Sequence, residues 1–397
     1  MFAHLLAEFK KSGLDEKKSI VPLALDGSIL NGAHRSSVAI YLDQSVASIK
    51  TDIAPHVYDY KFFKARGVSV EMLDIAAQTF SEYDSNSFIA LLWPAAKDQE
   101  KEVEKKLCKV VYKKKVSLNY NGAHNLLAEA YEGEPWLGSA KENYPGIKNK
   151  LVECFPDFKD VRVYLIQAEC LDDVLKIKEN IRDLFNIGKH AIHMTDTKEE
   201  TLRIGRLLFS QCGVHFLNHA KPNTYVDLKD KINEFKTQVS RRGLDINDYV
   251  LDSGVVMAAY GLRKADDIDY LTRSKVIKTE LIEHHGRELP YHEVEECELV
   301  DNPQYYFYFK DVKLLSLAQV YKMKNNRADN KDQLDVMRIG PLTNPDSTRD
   351  QLNLVRYRAY FIRAKGAGFI RKCIVSLLKF IGLYNHLRRL YRKKFKK

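Results

Sequence analysis

Residues 253–271 read Ser-Gly-Val-Val-Met-Ala-Ala-Tyr-Gly-Leu-Arg-Lys-Ala-Asp-Asp-Ile-Asp-Tyr-Leu, and no other stretch of the chain narrows the fold so far. Ser253-Gly254 is a turn of small residues, the apolar run after it suits a short helix, and Asp267-Ile268-Asp269 opens a strand. Residues two apart on a strand face the same side, so Asp267 and Asp269 are expected to present their carboxylates together while Ile268 enters the core. Two hard oxygen donors held that close suit Mg²⁺, which takes few carboxylates and fills its octahedron with water and substrate phosphates. Backbone N–H groups left over at a helix start favour phosphate oxygens. That assigns Ser253 and Gly254 to a triphosphate, with Arg263 near enough to assist.

This order of turn, helix and Asp-x-Asp resembles the polymerase-beta-type nucleotidyltransferase superfamily. A second block carries the same resemblance. Tyr306-Phe307-Tyr308-Phe309 leads through residues 312–317 to Lys324, Arg327, Lys331-Asp332 and Asp335, where the superfamily often ends in a Lys-Asp-x-x-Asp element. The resemblance covers residues 226–345. It implies a mixed-sheet domain that uses Mg²⁺ and a nucleoside triphosphate, with Asp267 and Asp269 as metal ligands and Arg263 or Lys331 neutralising charge as pyrophosphate leaves. The chain departs from the pattern at Asp252-Ser253-Gly254, where many members carry a second Gly or a Ser. Asp252 would repel a triphosphate if it faced inward, so it is expected to point away or to bind metal. The family's third carboxylate, which deprotonates or orients the attacking hydroxyl, falls among Glu296, Glu298 and Asp301. Glu298 is taken as the candidate, on one face with Glu296 if residues 295–300 are extended. A surface strand with solvated acids is the alternative for each of the three.

In the N-terminal third, residues 20–25 read as a strand, Asp26-Gly27-Ser28 as a turn, and Gly32-Ala33-His34-Arg35 as a glycine turn opening a helix. Cationic side chains match the positive end of a helix poorly, so His34 and Arg35 suggest a bound anion. The block resembles the ParB/sulfiredoxin-like nucleotide-binding fold, whose hallmark is a Gly-x-His-Arg turn that cradles ATP phosphates. The resemblance covers residues 18–95 and implies phosphate binding by Gly32, His34 and Arg35. Asn31 stands where many relatives have Asp or Gly, which takes away a base or metal ligand. Nucleotide binding without phosphotransfer therefore stands beside a kinase-like activity, and capping of nearby carbonyls by His34 and Arg35 is the structural alternative.

The middle of the chain alternates strand-like runs at 161–166, 191–194 and 214–217 with helical stretches at 171–187 and 197–210. Such a βαβαβ rhythm implies a small parallel sheet, and Thr197 with Glu200 forms a capping box for the second helix. His193, Asp196, His215 and His219 could gather around a metal, although no spacing demands it. The turn-rich stretch 133–146 marks either a domain boundary or a pocket-lining loop.

The expected architecture is a multidomain α/β (α+β) protein. It has a ParB/sulfiredoxin-like domain over 1–140, a small α/β unit over 141–225, the nucleotidyltransferase-like domain over 226–345 and a basic amphipathic tail over 346–397. The formal charge of +10 is segregated: residues 351–397 hold 14 Lys and Arg and no Asp or Glu, leaving 49 basic against 53 acidic residues before them. A nucleic-acid enzyme would carry its basic surface around the catalytic groove, so DNA and RNA are not the expected substrate. Apolar residues from Ile370 to Leu387 recur at helical spacing with Arg and Lys opposite, which suits an anionic inner-membrane surface or a membrane-bound assembly enzyme. A helix packed on the protein's own body is the alternative. Six cysteines without Cys-x-x-Cys spacing read as free thiols of a cytoplasmic protein, peripheral at the membrane through the tail. The expected reaction is nucleotide transfer to a small phosphorylated or hydroxylated metabolite such as a sugar or polyol, and the combination is similar to proteins of bacterial capsule or lipopolysaccharide assembly. Two alternatives stay open: a catalytically silent nucleotide-binding scaffold, and a toxin-type transferase that modifies tRNA or protein.

Overall fold

The computed structural model describes residues 2–13, 15, 20–343, 363, 366, 373–379 and 383–384. The protein is mixed α/β with several sheets, and it divides into two compact units, residues 1–68 and 69–397. Most of the tail expected over 346–397 lies outside the described residues. No helix among the described residues is long and apolar enough to cross a membrane.

In the first unit, β1 (Val21–Leu23) pairs in parallel with β2 (Ser48–Lys50). The helix Ala33–Tyr41 crosses between them, entered through Gly32 at φ 96°, a left-handed turn that suits glycine. The Gly32 N–H is satisfied by the Asn31 side chain at 2.7 Å. Arg35 donates to the Ile20 carbonyl at 3.4 Å, and the His34 ring meets the edge of Phe2 at 6.3 Å. The glycine turn and helix are thus as expected, but Arg35 is turned toward its own strand. The resemblance expected over 18–95 also extends past the unit: residues 87–92 belong to the second unit, at the heart of a different sheet.

That sheet has four strands, β3 (Ser87–Leu92), β4 (Lys109–Val116), β5 (Val161–Gln167) and β6 (Ile192–Met194), in the order β4-β5-β3-β6. Every neighbouring pair is antiparallel, which corrects the expected parallel sheet. β5 and β6 do run the same way, but β3 lies between them. All six residues of β3 are buried, as a central strand covered on both faces requires. Phe88, Ala90 and Leu92 join Tyr164 and Ile166 beneath Val174, Ile177 and Ile181 of the helix Leu171–Phe185. On the other face Gly205 of the helix Lys198–Leu208 comes so close that a Cβ there would lie 3.2 Å from Ile89. The Thr197 hydroxyl caps that helix by accepting from the Glu200 N–H at 3.1 Å, as the capping box predicts. Residues 214–217, expected as a strand, lie inside the helix Gln211–His219, which Ser210 caps.

The second sheet of this unit is mixed. Its strands β7 (Tyr249–Asp252), β8 (Ile268–Thr272), β9 (Ile282–His284), β10 (Tyr306–Phe309) and β11 (Val312–Leu315) lie in the order β10-β11-β7-β8-β9. β10 and β11 form a hairpin, β11 is parallel to β7, β7 antiparallel to β8, and β8 parallel to β9. Phe235, Tyr249 and Tyr270 pack as a triangle with centroids 5.5–5.8 Å apart, and Phe216 stacks on Phe307 at 4.5 Å. This aromatic core fixes the ends of β7 and β8, where the acids of the Asp-x-Asp segment lie.

Candidate functional site

β7 ends at Asp252, and the antiparallel register sets Asp252 directly opposite Asp269 on β8. Asp267 stands one residue before β8, is exposed, and adds to the electrostatic load on Asp269. Asp267 thus lies beside the start of the strand that carries Asp269, and a third acid, Asp252, faces Asp269 from β7. Between Asp252 and the helix Gly254–Ala259 the chain turns at Ser253, which is buried with φ 53° and ψ −110°. A non-glycine residue there carries strain of about 1–3 kcal/mol. The Ser253 N–H is turned back on its neighbour, donating to Asp252 Oδ1 at 2.6 Å.

Asp252 does not point away to solvent. It is fully buried; His285 Nδ1 donates to its Oδ2 at 2.7 Å, and His292 Nε2 lies 3.4 Å from the same oxygen. Gln319 donates to His292 Nδ1, which leaves the His292 proton on Nε2, facing the carboxylate. Burial would push the Asp252 carboxyl up, but the two imidazoles outweigh it and hold that carboxyl well below the usual carboxylate range. His285 responds in kind: burial opposes its charge, yet the Asp252 bond and charge raise it. The far nitrogen of His285, Nε2, lies 3.9 Å from Asp269 Oδ2. Asp269 has no comparable relief. Burial, and then the charges of Asp267 and Asp252, outweigh the pull of His285 and Lys324 and push its carboxyl up to about 6.

Behind Ser253-Gly254 lies a second charged layer. A methyl built on Gly254 would be 3.6 Å from both terminal nitrogens of Arg263. Arg263 is itself held by Asp335, its Nε 3.2 Å from both carboxylate oxygens. Lys324, on the helix Leu317–Arg327, is 2% exposed and lies 3.0 Å from both Asp332 Oδ1 and Asp335 Oδ2. Arg327 grips Asp332 with two bonds of 2.7 and 2.8 Å and meets Glu288 at 3.2 Å. Asp332 and Asp335 are three apart and share the inner face of the helix Asn330–Thr343. Lys331 lies on its exposed side. The lysine that pairs with the acids of the Lys-Asp-x-x-Asp element is thus Lys324, because those acids turn inward and carry Lys331 outward.

Glu298 is corrected as well. The segment expected to be extended is the helix Glu296–Asp301, which buries Leu299 and Val300 and leaves the Glu298 carboxylate accepting from Asn302 at 3.2 Å. Glu296 accepts from the Thr272 N–H at 3.0 Å and from His284 at 2.9 Å, and Asp301 pairs with Arg273 at 3.1 Å. Besides Asp252 on β7, the acid in register with Asp269 is Glu283 on β9, 63% exposed and 3.9 Å from Lys278. The tandem His284-His285 at the end of β9 was the sequence signal for the buried imidazole beside Asp252. His292 belongs to a four-residue helix and carried none.

Among the described residues no group of three or more His, Cys, Asp or Glu side chains is arranged to hold a metal ion. His193 bonds Glu200, Asp196 pairs with Lys178, and His215 bonds Tyr260 while its ring packs 4.6 Å from that of His219, so the four middle candidates do not gather around one point. A Mg²⁺ ion held by Asp267 and Asp269 would meet one exposed carboxylate and one largely buried one, Asp269, which burial, Asp267 and Asp252 push up and His285 at 3.9 Å relieves only in part. Such an ion would take the rest of its octahedron from water and substrate oxygens. No family model, curated protein or solved structure matches the chain.

Proposed function

We propose that residues 226–345 form a Mg²⁺-dependent nucleotidyltransferase site. The observation that carries this reading is Asp269, kept in a charged pocket with Asp267 and Asp252 at a cost that a divalent cation would relieve. Asp267 and Asp269 would hold the ion, which supplies electrophilic charge to a nucleoside triphosphate and to the pyrophosphate leaving it. Gly254 and Arg263 would flank the phosphates through close backbone approach and the guanidinium fork. The helix after Gly254 has only six residues, so its dipole adds little. Asp252 and His285 would act together, the buried carboxylate fixing the imidazole whose far nitrogen faces Asp269. Glu283, paired with Asp269 on β9 and exposed, would take the proton of the acceptor hydroxyl. The acceptor is a phosphate or hydroxyl of a small metabolite such as a sugar or polyol, and a surface-polysaccharide setting follows from the resemblance and the basic tail.

A second reading, a nucleotide-binding module without turnover, is favoured by Arg263 being engaged by Asp335 and by the absence of a third clustered ligand among the described residues. One experiment separates the two. The protein is incubated with each nucleoside triphosphate, Mg²⁺ and sugar-phosphate or polyol acceptors. Pyrophosphate release by the wild type that is lost in Asp267→Ala and Asp269→Ala supports transfer, and nucleotide binding without release supports the module. A signal that requires tRNA would assign a toxin-type transferase instead.

Gly254→Ala tests the phosphate contact separately from folding. The added methyl meets Arg263 and Ala265 at 3.6–3.8 Å, ordinary contact distances, so the denaturation midpoint should stay within about 0.5 kcal/mol of wild type. Nucleotide affinity, measured by calorimetry, should fall about tenfold or more. Unchanged affinity would remove Gly254 from the phosphate site.

A further inference from the structure

A cleft of about 490 Å³ opens beside β6, remote in sequence from the acid pair, between the helix Ile147–Cys154, the turn Gly188–His190 and the loop at 133–146. The turn-rich stretch that marked a boundary or a pocket in the sequence is the wall of this pocket. The loop is shaped to carry Trp136. Gly146 has no room for a side chain, since a Cβ there would lie 2.0 Å from the Trp136 carbonyl oxygen, and Gly138 turns at φ 84° against Pro145. Trp136 packs edge to face on Tyr131 at 5.2 Å yet stays 41% exposed, an aromatic platform at the rim. The rest of the lining is basic: Lys148, Lys150 and Lys189 against one acid, Glu153, with burial and the Lys150 charge holding the His190 imidazole toward its neutral form. Lys150 is buried; its ammonium donates to the Lys189 carbonyl at 2.7 Å and lies 5.0 Å over the Tyr131 ring, which anchors the cationic wall to the aromatic one. His190 Nδ1 is buried and has no hydrogen-bond partner among the described residues, a group left without the bond that burial demands.

We propose that this cleft binds a phosphorylated ring compound, with its phosphate on Lys148 and Lys189 and its ring face on the Trp136 indole. Lysines suit a phosphate as point charges, and an indole face suits a nucleobase or a sugar ring. A nucleotide and a sugar phosphate share that chemistry. None of the lining residues belongs to the five-stranded sheet, so the site does not depend on the reading of Asp267 and Asp269.

The chain has two tryptophans. Trp93 is fully buried and Trp136 exposed, so quenching of tryptophan emission on titration reports on the cleft. The full-length protein is titrated with AMP, UMP, glucose 1-phosphate and inorganic phosphate, with calorimetry in parallel. Saturable quenching is expected with at least one ring phosphate, and inorganic phosphate should bind about tenfold or more weakly. In Lys148→Ala/Lys189→Ala, two exposed positions whose loss leaves the core intact, affinity should fall about tenfold or more. Trp136→Phe should abolish the quench. A response to AMP or UMP alone assigns a base to the platform, and a response to glucose 1-phosphate alone assigns a sugar. Failure of every ring phosphate to saturate at millimolar concentration overturns the proposal. So does affinity that the double lysine variant leaves unchanged.

Discussion

Asp269→Asn is expected to stop turnover and, at the same time, to make the metal-free protein more stable. The Asp269 carboxyl is pushed up to about 6 by burial and by Asp267 and Asp252, and its side chain is 15% exposed. An acid whose folded pKa lies above its unfolded value binds its proton more tightly when folded. Its ionisation therefore costs nothing below the unfolded value of about 3.9, costs more as pH rises from there to about 6, and costs its full amount above that. A shift of about two units corresponds to a penalty of about 2–3 kcal/mol at neutral pH. In EDTA at pH 7.5 the asparagine variant should be more resistant to denaturant by about 1–3 kcal/mol, and the difference should close near pH 4. With Mg²⁺ and nucleotide the order should reverse, because only the wild type gains binding energy. If Asp269 holds the ion, pyrophosphate release should fall by about 10³-fold or more in the variant. A variant that is no more stable in EDTA would mean that Asp269 is solvated and carries no stored charge.

The largest loss of stability is expected from Lys324→Met. Lys324 is 2% exposed and is shared by Asp332, fully buried, and Asp335, 5% exposed. Methionine fills the volume but leaves two buried carboxylates short of a cation, and breaking a buried pair from one side costs about 3–5 kcal/mol. Arg327 still grips Asp332 and Arg263 still grips Asp335, which places the loss at about 3 kcal/mol. The pH dependence checks the cause. Burial pushes the Asp332 carboxyl up, but Arg327 and Lys324 outweigh it and hold it low; freed from Lys324, Asp332 should take up a proton more readily when folded, so the deficit against wild type should shrink as pH falls from 7 toward 4. A deficit below about 1 kcal/mol would show the network to be solvated. Because Asp335 also orients Arg263, this variant should weaken nucleotide binding even where it remains folded.

Much of the second sheet was legible because its signals are local. The small-residue turn at 253–254, the acids at 267 and 269, the aromatic strand at 306–309 and the helix after Ser316 all follow from short patterns that the fold keeps. The errors share a cause too. The alternation Glu295-Glu296-Cys297-Glu298 fits a strand, but Leu299 and Val300 need one buried face, and a single helical turn supplies it. Residues 214–217 read as a short apolar strand, yet Ser210 caps a helix there, and only a glycine fits at 213, where a Cβ would lie 2.3 Å from the Leu207 carbonyl oxygen. The parallel sheet failed for a non-local reason. The partner of both β5 and β6 is β3, which is separated from β5 by some 70 residues, and periodicity carries no record of pairing across that distance. The contacts that join Asp252, His285 and His292, and Lys324 to its acids, were hidden likewise, since Asp252 is far in sequence from both histidines and Lys324 lies on a different helix from its acids.

The central claim is that Asp267 and Asp269 form a cation site completed by substrate phosphates. Calorimetric titration of Mg²⁺ into the full chain with a non-hydrolysable nucleoside triphosphate tests it most directly, using wild type, Asp267→Asn and Asp269→Asn. The account predicts nucleotide-dependent metal uptake in the wild type that weakens by about 100-fold or more in each variant. Equal metal binding in all three proteins, or uptake in the wild type that does not depend on nucleotide, would contradict it.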